Sequence, residues 1–389
     1  MTTNYNTGGQ DFDNIFITDQ WLVDRYVGGQ LFACGYNQGG QLGQNNITSY
    51  SSPVQIGSLS NWKQVSNGSA HILALKTDGT MWTCGDNANG DLGISTVVAT
   101  STITQIGNLT NWYQIATGMS YSMAVKTDGT LWAWGQATNG CLCMNNTVSY
   151  SSPVQVGSLT NWKQVSAGYY VTMAVKTDGT LWACGYNYNG QLGISGVTGS
   201  AGRYSSPVQV GTLSNWRQVS TGFSTGAIKT DGTLWTCGWN SSGQLGLSTI
   251  VDVSSPVQVG TLTNWKQISA GSTHSAAIKV DGTLWIWGNG SSYQLGFGTV
   301  TSYSSPVQVG ALTNWKQVAC GSGFTTAIKT DGTLWSWGDN RKGQCGIPTG
   351  TSVISPAQVG TLTSWKQTAG FPSNGLAGGT LVAVNYTSI

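Results

Sequence analysis

The chain contains no glutamate. All 14 of its acids are aspartate, and histidine occurs only twice in 389 residues. Charged residues make up 8% of the chain, against the ~25% usual for soluble proteins. Glycine (55 residues), Thr, Ser, Asn and Val dominate in place of strong helix formers, so the composition speaks against helices. A net charge of +2 offers no footprint for nucleic acid or an anionic membrane. No stretch approaches the roughly 18–20 apolar residues of a membrane span, and none is expected to insert. The opening MTTNYNTGGQDFDNIF lacks the basic start and apolar core of a secretory signal, so first release into cytoplasm is expected. Disorder is excluded by 18 Trp and 15 Tyr, which supply ample apolar area to bury.

What is present is repetition. The motif NWKQ and its variants place tryptophans at Trp62, Trp112, Trp162, Trp216, Trp265, Trp315 and Trp365, spaced 50, 50, 54, 49, 50 and 50. A second series also counts seven: GGQLG, NGDLG, NGCLC, NGQLG, SGQLG, SYQLG and KGQCG. Each unit reads as four short strands, in the third unit WKQVSAG, VTMAVKT, TLWACG and SPVQVG. TDGT is a tight turn, because Asp can bond the backbone ahead and Gly accepts positive φ. A period near 50 with this content predicts an all-β, seven-bladed propeller of four-stranded antiparallel blades. The ends predict its closure. VGGQLFACG (Val27 to Gly35) stands in for the TLWACG strand, and WKQTAG with LAGGTLVAV (Leu376 to Val384), a shortened copy of the same region, supplies what the first blade lacks. Both termini are thus expected to meet in one Velcro-closed blade, with residues 28–389 as propeller and 1–27 as a separate arm.

GSTHSAAIKVDGTLWIWGNGSSYQLG (Gly271 to Gly296) resembles the signature of the regulator of chromosome condensation family, and the likeness runs over about residues 28–381. The resemblance implies a seven-bladed propeller. It implies no single function: the family includes a nucleotide-exchange factor for a small GTPase that also binds chromatin, ultraviolet sensors and a secreted inhibitor of β-lactamases.

Most residues that look chemical read as structure. Sixteen tryptophans occupy repeat positions and are expected in the inter-blade core; only Trp21 and Trp239 lie off the pattern. Cys34, Cys84, Cys184 and Cys237 fill a position held elsewhere by Trp134, Trp287 and Trp337, which reads as packing. Equivalent positions of neighbouring blades should lie beyond the ~7 Å reach of a disulfide, so all eight cysteines are expected as buried thiols. Cys141 and Cys143 lack the partners of a zinc site, and no metal or cofactor is implied. His71 and His274 share a repeat position with Tyr121, Val171 and Phe324, a tolerance that argues against a general base. The lysines of KTDGT and WKQ, with Arg217, read as a solvated rim. No nucleophile, base and oxyanion site assembles, and the chain reads as no enzyme.

Function is expected where the repeats vary. Turns alternate between the two ends of a meander, so the TDGT turns and GSLTN linkers share one nearly constant face. The other face carries the variation. Its candidate contact residues are Tyr36, His71, Tyr121, Tyr169, Tyr170, Tyr186, Tyr188, Arg203, Phe223, Trp239, His274, Tyr293 and Phe324, together with the insertion SGVTGSAGR (Ser195 to Arg203). Aromatics with Asn and Ser on a rigid scaffold suit contacts with proteins or sugars. The arm is acidic and punctuated by Phe12, Ile15, Phe16 and Trp21, an anchor pattern. Its GGQDFDNIF is similar to the opening of tail-fibre and other virion proteins of tailed phages, especially those of marine cyanobacteria. The expectation is a virion component: the arm on neighbouring virion proteins, the variable face on a host surface protein or glycan, and no nucleic acid. The alternative is a secreted or cytoplasmic protein-binding propeller, inhibitor-like or exchange-factor-like.

Overall fold

The structure, a computed structural model, describes residues 28–196, 198–199, 202–370 and 379–386. It begins, locally, with the TDGT turns. In the first full unit Asp78 Oδ1 accepts the Thr80 N–H at 2.9 Å and the Thr80 hydroxyl at 2.7 Å. Gly79 sits at φ +79°, where a side chain would strike the Thr110 carbonyl. Trp82 Nε1 donates to Thr80 Oγ1 at 2.9 Å, so the turn also holds the ring that follows it. Five further units repeat this pattern of bonds.

These turns fold the chain into seven four-stranded antiparallel sheets arranged as blades. Blade 1 covers residues 62–105, blade 2 112–155, blade 3 162–209, blade 4 216–258, blade 5 265–308 and blade 6 315–358. Blade 7 is built from both ends, in the order Tyr50–Gln55, Gln30–Gly35, Thr380–Asn385 and Trp365–Ala369. The expected closure is thus present, with one correction. Thr380–Asn385 pairs with both Trp365–Ala369 and Gln30–Gly35, so it is the second strand of its blade and copies MAVK rather than TLWACG.

In each blade the WKQ strand is innermost, and its glutamine does what the sequence reading missed. Gln114 Nε2 donates to the Val165 carbonyl and Oε1 accepts the Val165 N–H, both at 2.8 Å, across the blade boundary. Gln64, Gln164, Gln218, Gln267 and Gln317 repeat this reach, each with both amide groups. Gln367 completes the circle on Val65, at 3.0 and 3.1 Å. The free edge of every inner strand is thereby bonded to the preceding blade, which satisfies backbone groups that a lone sheet would leave open.

The core lies between blades. The seven WKQ tryptophans and Trp134, Trp287 and Trp337 are buried as expected. The six tryptophans of DGTLW or DGTMW are only half-buried, and they correct a second expectation. Lys76, Lys126, Lys176, Lys229, Lys279 and Lys329 are buried, not a solvated rim. Each ammonium lies between two indoles, as Lys76 does at 3.6 Å from the Trp82 ring centre and 5.0 Å from Trp62. Burial pushes these lysines below their ordinary pKa, against the pull of the adjacent TDGT aspartate. The indole faces replace part of the lost hydration. At the seam the set changes together: Asn385 takes the lysine position and Phe32 the outer indole position, its ring 5.3 Å from Trp365.

The cysteine expectation is corrected in one place. Cys143 and Cys184 form a disulfide between blades 2 and 3, with Cα atoms 5.6 Å apart. The bridge joins non-equivalent positions, which a comparison of equivalent ones could not find. In most blades the glycine of QLG abuts the WxWG-position residue of the next blade; a Cβ on Gly93 would lie 2.6 Å from Trp134, and one on Gly43 3.2 Å from Cys84 Sγ. In blade 2 that glycine is Cys143, in a left-handed backbone at φ +60°, and its neighbour is the small Cys184 rather than Trp. The other six cysteines are buried thiols, and burial lifts Cys84 and Cys237 to about 12. Unfolded without reductant, the protein should therefore titrate six thiols, and eight after reduction. Eight before reduction would show that the bridge does not form.

Candidate functional site

The loop face is held rigidly. Asn37 Nδ2 donates to the Thr48 carbonyl at 2.8 Å while its Oδ1 accepts the Leu42 N–H at 2.8 Å, pinning the long loop after the third strand. Asn87, Asn240 and Asn340 hold the same loop in their blades. On this scaffold the sequence-predicted residues divide sharply.

Four of them are not surface groups. His71, Tyr121, His274 and Phe324 are 0–1% exposed, because the second strand of a blade is covered on both sides by neighbouring blades. His71 Nε2 pairs with Ser122 Oγ at 3.0 Å, and His274 Nε2 with Thr325 Oγ1 at 2.9 Å. Burial lowers the two imidazoles to about 4 and about 3, so both stay neutral near pH 7. Tyr121 gives its hydroxyl to the Val171 carbonyl at 2.6 Å. These side chains fill inter-blade space. Tyr36 in blade 7 and Tyr293 in blade 5 are half-buried and stand apart from the other candidates.

The remaining aromatics converge on blades 3 and 4. Tyr169 stacks on Phe223, centroids 4.2 Å apart and planes 22° apart, across the blade boundary. Tyr170 meets Tyr169 at 4.9 Å and Trp239 meets Phe223 at 5.6 Å. Beside them Tyr186 and Tyr188 lie parallel, 5.9 Å apart and 11° from coplanar. Tyr188 is 49% exposed and the other five are half-buried. Burial, with the nearby Tyr188 and Tyr169 phenols, pushes the Tyr186 hydroxyl up, while Arg203 pulls it down. Tyr170 holds a left-handed backbone at φ +56°, a conformation costing roughly 1–2 kcal/mol for a residue with a Cβ. The proposed anchor residues Phe12, Ile15, Phe16 and Trp21 lie outside the described residues.

One group on this face was missed. Asp91 stands where five of the other six units have the glutamine of QLG, the sixth having Cys141, and its carboxyl is buried. Burial, then the neighbouring Asp86, pushes it up to about 7. The signal was NGDLG among six units without an acid at that position. Among the described residues no three His, Cys, Asp or Glu side chains gather as metal ligands.

The model of the regulator of chromosome condensation (RCC1) repeat matches residues 28–75, 128–175, 178–225, 231–278, 281–328 and 331–370. The chain belongs to this repeat family. As an RCC1-repeat protein it shares its fold with human WBSCR16, at 19% identity and a TM-score of 0.80, covering 93% of this chain and 100% of that one. Prp20p of Saccharomyces cerevisiae, a structure reported with its binding to Gsp1p and histones, is 19% identical with a TM-score of 0.81 and covers 97% of both chains. Yeast RCC1 (Prp20) bound to Kap60 is similar at 19% identity, with a TM-score of 0.82, covering 100% of this chain and 96% of that one. None of the curated proteins matches the sequence. At this identity the RCC1 likeness establishes the propeller, and the aromatic cluster is read from this chain's own residues.

Proposed function

We propose that this chain is a non-enzymatic binding module of a tailed-phage particle that meets its partner through the aromatic cluster of blades 3 and 4. One observation carries the contact face. Six aromatic rings from four loop segments converge there at least partly exposed, while the aromatics at the His71-equivalent positions turn inward. Aromatics on rigid loops give contact area at low entropic cost. The similarity of GGQDFDNIF to virion proteins, and the low charge, support the particle assignment, with residues 1–27 as the attachment segment and the virion as its location. The protein partners of Prp20p support protein–protein contact as a use of this fold, here toward neighbouring virion subunits.

Two changes separate the roles. Replacing Tyr186, Tyr188 and Trp239 by Ala should leave the melting profile intact while weakening attachment of purified protein to cells. Deleting residues 1–20 should leave a folded propeller that is missing from purified particles. If the triple variant attaches normally while changes to the TDGT turns block attachment, the contact face is the opposite one.

A further inference from the structure

We propose that the aromatic surface of blades 3 and 4 binds an uncharged oligosaccharide, a glycan chain without carboxylate, sulfate or phosphate. The inference rests on the reading of this face as the contact surface and names the class of ligand.

Blade 3 is built differently from the others at this point. Elsewhere the third strand stops at its final glycine, such as Gly85, Gly135 or Gly238. In blade 3 it continues one residue, and Tyr186 pairs with Arg203 at the head of the fourth strand. The next bond, from the Asn187 N–H to the Gly202 carbonyl at 2.7 Å, extends the hairpin again. The insertion thus adds a rung at the loop face. Directly opposed residues of an antiparallel pair share one side of the sheet, so the exposed Arg203 stands beside the Tyr186 ring. The Gly199 N–H donates to the Tyr188 carbonyl at 2.9 Å and fixes the backbone of the second parallel ring. Tyr186 and Tyr188 therefore form an edge of two parallel rings next to the Tyr169–Phe223–Trp239 platform.

The chemistry of this edge and platform selects among partners. Charge is nearly balanced. Arg203 is exposed, and the carboxylate of Asp252 is already engaged, accepting the Asn240 N–H at 2.8 Å and Asn189 Nδ2 at 2.6 Å. With one guanidinium and one carboxylate at the rim, there is no cluster of single-sign charge to favour a strongly charged ligand. A protein partner is held best by anchors that become fully desolvated in deep pockets, whereas these rings form a shallow, half-exposed surface. A sugar ring matches what is here. Its C–H face carries partial positive charge and lies against the electron-rich face of an aromatic ring. Its hydroxyls both donate and accept, and the rim offers both: the Arg203 guanidinium, the tyrosine hydroxyls and the Asn189–Asp252 pair. Two separate groups of rings, the edge and the platform, fit successive sugar units of a chain better than one isolated monosaccharide.

The test uses the full-length protein with panels of uncharged glucose, galactose, mannose and N-acetylglucosamine oligosaccharides, beside sialylated and sulfated ones. Binding is read by calorimetry and by tryptophan fluorescence. At least one uncharged oligosaccharide should saturate binding. Its affinity should hold as salt rises from about 0.1 M to about 1 M, which shortens the Debye length from ~10 Å to ~3 Å. Trp239→Ala and Tyr188→Ala, each checked for wild-type melting, should weaken it by about tenfold, the scale of one lost stacking contact. Tyr188 is half-exposed, so that variant remains informative if Trp239→Ala folds poorly. Binding only of charged glycans, lost in high salt, would overturn the proposal, as would undiminished binding by both variants. If no uncharged oligosaccharide binds, yet the same variants lose attachment to cells and protease treatment of the cells abolishes it, the occupant is a protein; the glycan inference then fails while the contact face stands. If the variants attach to cells as the wild type does, the contact face itself falls.

Discussion

A chain lacking Ser364–Ile389 should lose its cooperative unfolding transition. The deletion removes the two C-terminal strands of blade 7, leaving Gln30–Gly35 without the six-rung pairing it makes with Thr380–Asn385. Blade 7 would keep only two strands, too few for independent stability. The inner circle would break at both sides of the gap: Gln317 loses the Thr368 backbone, and Val65 loses Gln367. Blades 6 and 1 would then expose edges and a core face that Trp365 and Val382 cover in the intact ring. Circular dichroism and tryptophan fluorescence during urea unfolding measure this directly. Coincident, steep transitions at the full-length midpoint would show that the ring does not depend on its seam.

Trp162→Ala should cost ~3–5 kcal/mol, the range for deleting a large buried aromatic, while Trp239→Ala should change stability by less than about 1 kcal/mol. The two indoles differ in surroundings rather than in chemistry. Trp162 is 3% exposed and packs between Leu131 and Val156 of blade 2 and its own Val165. It also forms one wall of the Lys176 site, with the ammonium 4.8 Å from its centre, so its loss exposes a cation that was shielded on both sides. Trp239 is half-buried on a loop and contacts Phe223 at the surface. Urea midpoints of the two variants, with unchanged slopes, give the comparison. Equal losses would mean that Trp239 belongs to the core and that the contact face has been misplaced.

Blade number, closure and the strand order of the six unbroken blades were legible in the sequence because each is encoded locally and then copied. TDGT dictates its own turn through Asp78 and Gly79, whatever lies around it, and seven units of about 50 residues count the blades. The truncated copies at the two ends could only complement each other. The register of repeats also placed His71, Tyr121, His274 and Phe324 at one shared position, though not on which side of the protein surface it lay. A strand whose six residues are all buried shows no alternation to reveal its direction.

Tertiary structure decided everything that passes between blades, since neighbours in space are about 50 residues apart in sequence. Within a blade, too, cross-strand packing hides a residue's surroundings: the lysines of KTDGT read as solvent-facing until indoles from the two flanking strands of the same blade close around each one. The glutamine of WKQ reads as an exposed amide until the next inner strand offers it a backbone N–H and C=O. Cys143 and Cys184 are unremarkable in their own repeats, and they meet only because a glycine position of one blade faces a tryptophan position of the next. The same rule made the site. Tyr169, Phe223 and Trp239 were three variable loop residues among thirteen candidates, and only the packing of blade 3 against blade 4 stacked them into one surface. Local sequence sets the dihedral angles of a turn, but which side chains share a surface depends on how separately folded sheets pack, and no single repeat contains that information.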